Sequence, residues 1–178
     1  MESMLVRAVD VAADARALSD LDTSFTTDRV FDVKVKNGEV CLRAVAVSPP
    51  VHKRFPLQLN QDAWEEGWVA IVSGDVVGFV AVAYSAWNRR LVIWHYYVDG
   101  KFRGRGFGRR LMNQAVLRAH ELGAKTVWVE TSNLNFPGVA AYRRLGFEIC
   151  GFDLTLYRGT DGPPGEFALF LARPIEHG

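Results

Sequence analysis

The sequence has little cysteine, little net charge and no long apolar run, and each shortage excludes a class of protein. Two cysteines in 178 residues, Cys41 and Cys150, cannot make a disulfide framework, so we expect both to be reduced core residues. The formal net charge of +1 gives no reason to expect nucleic acid or an anionic membrane as the main partner. The longest apolar stretch, Val76–Tyr84, is far too short to span a bilayer.

Metal ligands and targeting signals are scarce as well. The histidines show no ligand spacing with one another or with the cysteines, so the sequence predicts no metal site; they are His52, His95, His120 and His177. The first residues carry acidic and basic side chains and no continuous apolar run. We therefore expect no signal peptide and a cytoplasmic protein.

What the sequence does contain is the composition of one globular domain. Its 178 residues are 49% hydrophobic and 23% charged, which is enough apolar material to bury a sizeable core. No internal repeat and no linker divides the chain, so we expect residues 1–178 to form a single domain. A monomer and a homodimer both stay open.

The order of the predicted elements indicates an α/β (α+β) fold with a single mixed, mostly antiparallel sheet flanked by helices. Asn37-Gly38 is a strong hairpin signal, Gly74-Asp75 marks a second hairpin, and Ser48–Glu66 is predicted as a loop with one helical turn at Asp62–Glu66. The predicted strands are Leu5–Val9, Val30–Lys36, Glu39–Val47, Trp68–Ser73, Val76–Tyr84, Leu91–Val98, Thr126–Glu130, Phe147–Leu156 and Phe167–Ala172. The predicted helices run from Asp10 towards Leu21, from Gly106 to Gly123, and from Pro137 to Leu145-Gly146.

A basic, glycine-rich loop opens the second predicted helix: Arg103-Gly104-Arg105-Gly106-Phe107-Gly108, followed by Arg109. A helix N-terminus has unsatisfied amide N–H groups and a partial positive charge, so it suits a phosphate. The glycines let the backbone approach the anion, and the arginines add positive charge, which together fit a pyrophosphate. An ordinary basic turn is the alternative, because the spacing and the mid-chain position match neither a dinucleotide fold nor a nucleotide triphosphatase loop.

The residues after the loop give it a specific context. Asn135 lies seven positions before Tyr142, and Arg143-Arg144-Leu145-Gly146-Phe147 follows. Over Leu91–Cys150 the chain resembles the GNAT acetyltransferase superfamily, whose signature is R/Q-x-x-G-x-G/A after the fourth strand with N-x6-Y downstream. The resemblance implies the GNAT fold and an acetyl-coenzyme A-dependent N-acetyltransferase that uses direct transfer in a ternary complex.

Three further segments resemble a narrower group in that superfamily, the streptothricin N-acetyltransferases. They are Leu21–Asp28, Tyr84–Leu91 and Cys150–Thr160. Their hydroxyl-rich and Trp-Asn-Arg-Arg sequences are not general GNAT features. This resemblance implies acetylation of an amine on the β-lysine moiety of streptothricin-class antibiotics (nourseothricin), and hence antibiotic resistance.

The resemblance also implies roles for single residues. Backbone groups of Tyr96 and Val98 would contact the acyl carbonyl and the pantetheine arm, Asn135 would hydrogen-bond the coenzyme, and Tyr142 would protonate the departing thiolate. From the residues alone, Tyr142 is also explained as a core tyrosine, and Asn135 as a helix cap. The residues implied at the pyrophosphate are Arg103, Gly104, Arg105, Gly106, Gly108 and Arg109.

The base has two candidates and the acceptor site has four. Many GNAT enzymes carry acidic residues in the fourth strand where this chain has Trp94-His95, so His95 and Glu130 are both candidate bases. A polycationic acceptor needs carboxylates and flat aromatic surfaces. The candidates in the resembling segments are Asp22, Asp28, Asp153 and Trp87, and for each carboxylate a cap or a solvated position is the alternative.

Two other functions stay open. One is a GNAT enzyme for another amine, such as a protein N-terminus, a polyamine or a different antibiotic. The other is a non-catalytic coenzyme A-binding sensor on the same fold. A nucleic-acid-binding module is disfavoured by the near-zero net charge.

Overall fold

The computed structural model describes residues 4–57, 59, 63–160 and 162–176. The chain divides into two units, the first made of residues 1–24, 54–129 and 172–178, the second of residues 25–53 and 130–171. The single domain expected from the composition stays a prediction. No helix in the described part of the chain is long and apolar enough to cross a membrane.

The secondary structure follows the predicted order of elements. The strands are β1 (Met4–Ala8), β2 (Ser24–Lys36), β3 (Glu39–Arg54), β4 (Glu66–Val72), β5 (Asp75–Ser85), β6 (Arg90–Val98), β7 (Thr126–Ser132), β8 (Glu148–Asp153) and β9 (Ala168–Pro174). The helices are α1 (Val11–Ser19), α2 (Phe107–Glu121) and α3 (Phe136–Arg144), with a short 3-10 helix at Gly100–Phe102. The larger sheet has the order β1-β4-β5-β6-β7-β9-β8, and β2 pairs with β3 separately.

In the first unit, antiparallel strands lead into one parallel pair. β1, β4, β5 and β6 are antiparallel neighbours, whereas β6 and β7 pair in parallel from Arg90↔Thr126 to Ile93↔Val129. Both α1 and α2 pack against β5. Residues Val77–Val82 of that strand are accordingly all buried, because a strand covered on both faces has no solvent-facing side. The predicted mixed, mostly antiparallel sheet with flanking helices is confirmed, but it is not single, because β2 and β3 form a separate two-stranded sheet.

Helix α1 begins at its predicted cap. Asp10 Oδ1 accepts hydrogen bonds from the amides of Ala12 and Ala13 at 3.1 and 3.0 Å. The helix ends at Ser19, before Leu21, which instead joins a buried apolar cluster. The members of that cluster are Leu18, Leu21, Trp64, Val69, Phe79 and Ala81.

In the second unit, the first hairpin is confirmed and is longer than predicted. Asn37 and Gly38 have φ of 53° and 80°, the left-handed conformations that a tight hairpin turn requires. β3 continues through Pro49 and Pro50 to Arg54, so the prediction of a loop over Ser48–Glu66 was wrong for its first part. Proline is tolerated there because each strand of a two-stranded sheet has one edge that needs no ladder hydrogen bonds.

Other predictions need smaller corrections. In the predicted turn at Asp62–Glu66, Asp62 lies outside the described residues and the following residues form no helix. The second hairpin turns at Ser73-Gly74, one residue earlier than predicted, because these two residues have the positive φ, 52° and 93°. Cys41 and Cys150 are free but exposed, so their assignment to the core was wrong.

One ion pair connects β1 to α1. Arg7 Nη1 and Nη2 donate to Asp14 Oδ2 and Oδ1 at 2.8 and 2.7 Å, and the Asp10 amide donates to Asp14 Oδ2 at 2.9 Å. The Asp14 side chain is 6% exposed. The hydrogen bonds from Arg7 hold the pKa of Asp14 below its ordinary value, although burial acts in the opposite direction.

Replacing Asp14 by Asn should lower the free energy of unfolding by about 1–3 kcal/mol at neutral pH, because Arg7 loses its anionic partner. Since the folded protein depresses the pKa of Asp14, the stabilisation is complete above the ordinary carboxyl pKa of about 4 and is lost as the pH falls through the folded value. Urea unfolding at neutral pH and at pH ~3 measures both effects, and the difference between wild type and variant should shrink in acid. Asp75→Asn, at the exposed start of β5, is the control, and equal losses from both variants would contradict the assignment.

Candidate active site

The glycine-rich loop lies between β6 and α2, as predicted, and its conformation requires glycine. Gly104 and Gly106 have φ of 76° and 88°. Gly106 is the N-cap of α2 and, having no side chain, forms no side-chain capping hydrogen bond with the described residues of the helix. The first amides of α2 are therefore left for water or an anion, at the positive end of the helix dipole.

Gly108 marks the closest approach of α2 to β6. A Cβ at this position would lie 2.6 Å from the Tyr96 hydroxyl oxygen and 3.4 Å from Val98 Cγ2. The first distance is too short for any real contact, so only glycine lets the helix come this near. Burial raises the pKa of Tyr96 well above its ordinary value, so its hydroxyl stays protonated. The structure thus brings together three residues that the sequence predicts at the coenzyme.

Arg103 holds the loop in place through two backbone carbonyls. Its Nε donates to the Val98 oxygen at 2.9 Å and its Nη2 to the Asp22 oxygen at 3.0 Å. The Asp22 carboxylate accepts hydrogen bonds from the amide and hydroxyl of Ser24 at 2.9 and 2.6 Å, which lowers the pKa of Asp22. Arg103 and Asp22, predicted for coenzyme and acceptor respectively, are therefore in contact, and both have structural partners.

Arg105 and Arg109 bring positive charge to the start of α2. The Arg105 guanidinium lies 5.3 and 5.4 Å from the ring centroids of Phe102 and Phe107, a cation–π arrangement that orients it. Arg109 is exposed on the first turn of the helix. These two side chains add to the dipole of α2, and the loop has the chemistry of a pyrophosphate site.

His95, one candidate base, packs among aromatic rings in the first unit. It follows a β-bulge at Trp94, where the register of β5 and β6 shifts, and its ring lies 6.0 Å from those of Phe79 and Tyr97. Such packing gives His95 a structural role whatever its chemistry. Bulges of this kind are common next to active sites, where they redirect a side chain.

In the second unit, Asn135 and Tyr142 lie near the two ends of α3. Asn135 is the N-cap: its Oδ1 accepts from the Gly138 amide and its Nδ2 donates to Thr131 Oγ1, both at 3.0 Å. Its predicted capping role is confirmed. Tyr142 is 7% exposed, and its ring meets that of Phe147 edge-on at 5.5 Å. The coenzyme and acid roles of these residues stay predictions.

Glu130, the other candidate base, is partly buried in the second unit and accepts a hydrogen bond from the Tyr157 hydroxyl at Oε1. Burial raises the pKa of Glu130 above its ordinary value, and the hydrogen bond from Tyr157 opposes the shift only in part. The negative charge of Glu166 adds to the increase and the positive charge of Lys53 reduces it. A carboxylate of raised pKa binds a proton better near neutral pH, as a general base requires.

A model of the acetyltransferase (GNAT) family matches residues 33–147. The chain belongs to the GNAT family. It is 44% identical over 171 residues to a streptothricin acetyltransferase of Streptomyces lavendulae, covering 90% of each chain. It is 26% identical over 151 residues to a streptothricin acetyltransferase of Escherichia coli, covering 85% of this chain and 86% of the other. The predicted acetyltransferase class is confirmed.

Solved structures agree with this assignment. The fold matches that of a nourseothricin acetyltransferase with a TM-score of 0.88 at 44% identity, covering 97% of this chain and 99% of the other. It also matches a candidate streptothricin acetyltransferase from Bacillus anthracis in complex with acetyl coenzyme A, with a TM-score of 0.82 at 26% identity over 97% and 99% of the two chains. The predicted GNAT fold is confirmed, and with it the family's use of acetyl coenzyme A.

The remaining acceptor candidates of this GNAT chain have unlike surroundings. Asp153 Oδ1 accepts from the amide and hydroxyl of Thr155, both at 2.7 Å, which ends β8 and lowers the pKa of Asp153. Strand β8 therefore stops before Leu156, where it was predicted to end. Asp28 is exposed on β2, and Trp87 is 88% exposed in the turn after β5. Only Asp28 and Trp87 present their side chains to solvent rather than to their own turn.

Sequence reasoning missed Tyr157, Lys53 and Glu166, the residues around Glu130. Their positions are scattered along the chain and have no spacing that marks a motif. Tyr157 lies inside Cys150–Thr160, one of the segments that resemble the streptothricin enzymes. That resemblance was the available signal, since long-range contacts of this kind cannot be deduced from one sequence.

Replacing Gly108 by Ala should reduce both thermal stability and affinity for coenzyme A, because the new methyl group overlaps the Tyr96 hydroxyl. Overpacking of this kind costs about 1–3 kcal/mol. Tyr96→Phe removes that hydroxyl, so the double variant should recover most of the loss. Calorimetric titration with coenzyme A and thermal unfolding measure the two effects.

Gly159→Ala is the matched control, since a Cβ there meets no atom of the described residues within 4 Å. If Gly108→Ala bound coenzyme A as tightly as the wild type, or if the double variant recovered neither affinity nor stability, glycine would not be needed for the close approach of α2 to β6.

Proposed function

We propose that this chain is an acetyl coenzyme A-dependent N-acetyltransferase that modifies an amine of the β-lysine moiety of streptothricin-class antibiotics and so confers resistance. The observation that carries the proposal is the 44% identity to the Streptomyces lavendulae streptothricin acetyltransferase over 90% of each chain. The loop at α2 supports only the choice of donor. The acceptor is supported by the relatives, so it is the acceptor that experiment has to test first.

Residues of the first unit would bind the acetyl donor. The uncapped amides of α2 and the side chains of Arg105 and Arg109 would hold the pyrophosphate, while Gly108 keeps the helix close to β6. Acetyl coenzyme A, when bound, supplies an acetyl thioester whose carbonyl carbon accepts the amine. Backbone groups of Tyr96 and Val98 would orient that carbonyl, and an amide N–H would stabilise negative charge on its oxygen.

The acceptor amine must lose a proton before it can attack. An amine of the lysine type has an ordinary pKa of about 10.4 and arrives as an ammonium group. Glu130 is the better of the two bases, because its carboxylate has a raised pKa while the His95 ring is packed between aromatic side chains. Glu130 would take one proton from the ammonium, and the free amine would then form the C–N bond as the C–S bond breaks. Tyr142 would protonate the leaving thiolate, and the new amide nitrogen would lose its surplus proton to solvent. Solvent then restores both residues.

The acceptor is a polycation, so carboxylates and aromatic faces should bind it. The exposed Asp28 and Trp87 are open to such contacts, whereas the carboxylates of Asp22 and Asp153 already accept two hydrogen bonds each. We therefore assign Asp28 and Trp87 to acceptor binding before the other two. A homodimer stays one of the two oligomeric states that the sequence leaves open.

Purified protein with acetyl coenzyme A should acetylate streptothricin with a kcat/KM at least about 100-fold above that for free lysine, because binding energy from the rest of the antibiotic lowers the barrier. A panel that adds a polyamine and an N-terminal peptide measures the preference. Expression in a sensitive host should permit growth on streptothricin. Faster turnover of the polyamine or peptide would reassign the acceptor, and no turnover of any amine would favour a coenzyme A sensor.

Tyr142→Phe should lower kcat by about 10²–10⁴-fold, the usual contribution of a positioned acid, and should leave the affinity for coenzyme A nearly unchanged. Steady-state kinetics and calorimetric titration with coenzyme A separate the two quantities. Tyr84→Phe is the matched control, since the Tyr84 hydroxyl makes no hydrogen bond to the described residues. An unchanged kcat in Tyr142→Phe would remove this residue as the acid.

A further inference from the structure

A hydrogen-bonded network surrounds Glu130 in the second unit. The Tyr157 hydroxyl donates to Glu130 Oε1, and Lys53 Nζ donates to Glu166 Oε1. Lys53 Nζ also lies 5.8 Å from the centroid of the Tyr157 ring, a cation–π arrangement. Residues from β3, β7 and the connection between β8 and β9 thus converge on one carboxylate.

The Lys53–Glu166 pair is the rigid part of this network. The Glu166 side chain is 2% exposed and that of Lys53 22%. A carboxylate buried to this extent is tolerated only with a cationic partner, so Lys53 is held where Glu166 requires it. The ammonium group over the Tyr157 ring then fixes the face of that ring, and the hydrogen bond to Glu130 fixes its hydroxyl end.

This arrangement gives the two oxygens of Glu130 different surroundings. Oε1 accepts the hydrogen bond from Tyr157, whereas Oε2 accepts none from the residues that the structure describes. A carboxylate held by one oxygen cannot rotate freely. The other oxygen is therefore kept in one orientation, in which it can accept a proton.

We propose that Tyr157 is a positioning residue for acetyl transfer, which orients the Glu130 carboxylate while the Lys53–Glu166 ion pair holds the Tyr157 ring. The inference rests on the proposed function, since it takes Glu130 as the base for the acceptor ammonium. Glu130 Oε2 takes one proton from that ammonium and later returns it to water. Tyr157 keeps its own proton throughout and forms no bond with the substrate.

Two substitutions in this network should change the pKa of Glu130 in opposite directions. Tyr157→Phe removes a hydrogen bond that favours the carboxylate, so the pKa of Glu130 should rise. Glu166→Gln removes a nearby negative charge while its amide oxygen can still accept the hydrogen bond from Lys53, so the pKa of Glu130 should fall. A general base works only when it is ionised. The acid limb of kcat/KM against pH should therefore move to higher pH in Tyr157→Phe and to lower pH in Glu166→Gln, following the pKa of Glu130 in each variant.

The experiment measures the pH profile of kcat/KM and, by carbon-13 NMR of labelled glutamate, the titration of Glu130 itself. Tyr157→Phe should move both midpoints up by about one pH unit, which is about a tenfold loss of kcat/KM on the acid limb. Glu166→Gln should move both down. Glu130→Gln identifies the NMR signal and should abolish the limb, and Tyr84→Phe should change neither midpoint.

The outcomes separate this inference from the proposed function. Shifts of opposite sign in both measurements support it, whereas a Glu130 titration unmoved by Tyr157→Phe overturns it. A shifted titration with an unmoved activity profile also overturns it, because Glu130 would then not be the base. No turnover of streptothricin by the wild type overturns the proposed acceptor instead, and the NMR titration still decides whether Tyr157 controls Glu130. Should Glu166→Gln fail to fold, as circular dichroism would show, the comparison of Tyr157→Phe with Tyr84→Phe decides alone.

Discussion

The first turn of α2 reaches strand β6 only because residue 108 has no side chain. This approach places the uncapped amides of the helix beside Tyr96 and Val98, so the loop, the helix dipole and the strand face one small region of the first unit. The left-handed conformations of Gly104 and Gly106 aim the loop, and Arg103 fastens it by two hydrogen bonds to backbone carbonyls. The pyrophosphate proposed to bind here would be held largely by backbone amides, which is why the loop alone is a weak motif and needs the residues downstream to identify the family.

In the second unit, the carboxylates of Glu130 and Glu166 are kept partly or almost wholly out of water. Burial disfavours the charge of Glu130, and the hydroxyl of Tyr157 together with the ammonium of Lys53 partly offsets that effect. Glu166 works against them through its own charge, although it holds Lys53 in position. The proton affinity of Glu130 is thus a balance among several groups rather than a property of one. A balance of this kind can be adjusted by small changes in any member.

Local signals in the sequence predicted most of the fold. Asp10 as a cap, Asn37-Gly38 as a turn and Gly123 after α2 each rest on interactions within a few residues, and all are present in the structure. The predictions that failed involve longer range: β3 runs through Pro49 because pairing with β2 outweighs the local turn signal. The assignment of Cys41 to the core failed for a similar reason, since its burial depends on what covers the hairpin.

In the candidate site, too, features set by neighbouring residues could be predicted, whereas features set by long-range contacts could not. The position of the loop between β6 and α2 was predicted from consecutive residues, and its binding of the coenzyme stays a prediction. Asn135 was predicted with two roles, and the structure confirms the local one, the helix cap. The network of Lys53, Tyr157 and Glu166 could not be predicted, since its members meet only after β3 and the connection before β9 have folded.

The Lys53–Glu166 pair is asymmetric, and this has an evolutionary consequence. Lys53 is 22% exposed and can turn its ammonium group into water if Glu166 is lost, whereas Glu166, at 2% exposed, would be left as a buried anion if Lys53 were lost. A lineage that loses this ion pair by single substitutions should therefore replace Glu166 before Lys53. Chains with lysine at position 53 and a neutral residue at position 166 are the expected intermediates. Chains with a neutral residue at position 53 and glutamate at position 166 should be rare among functional relatives.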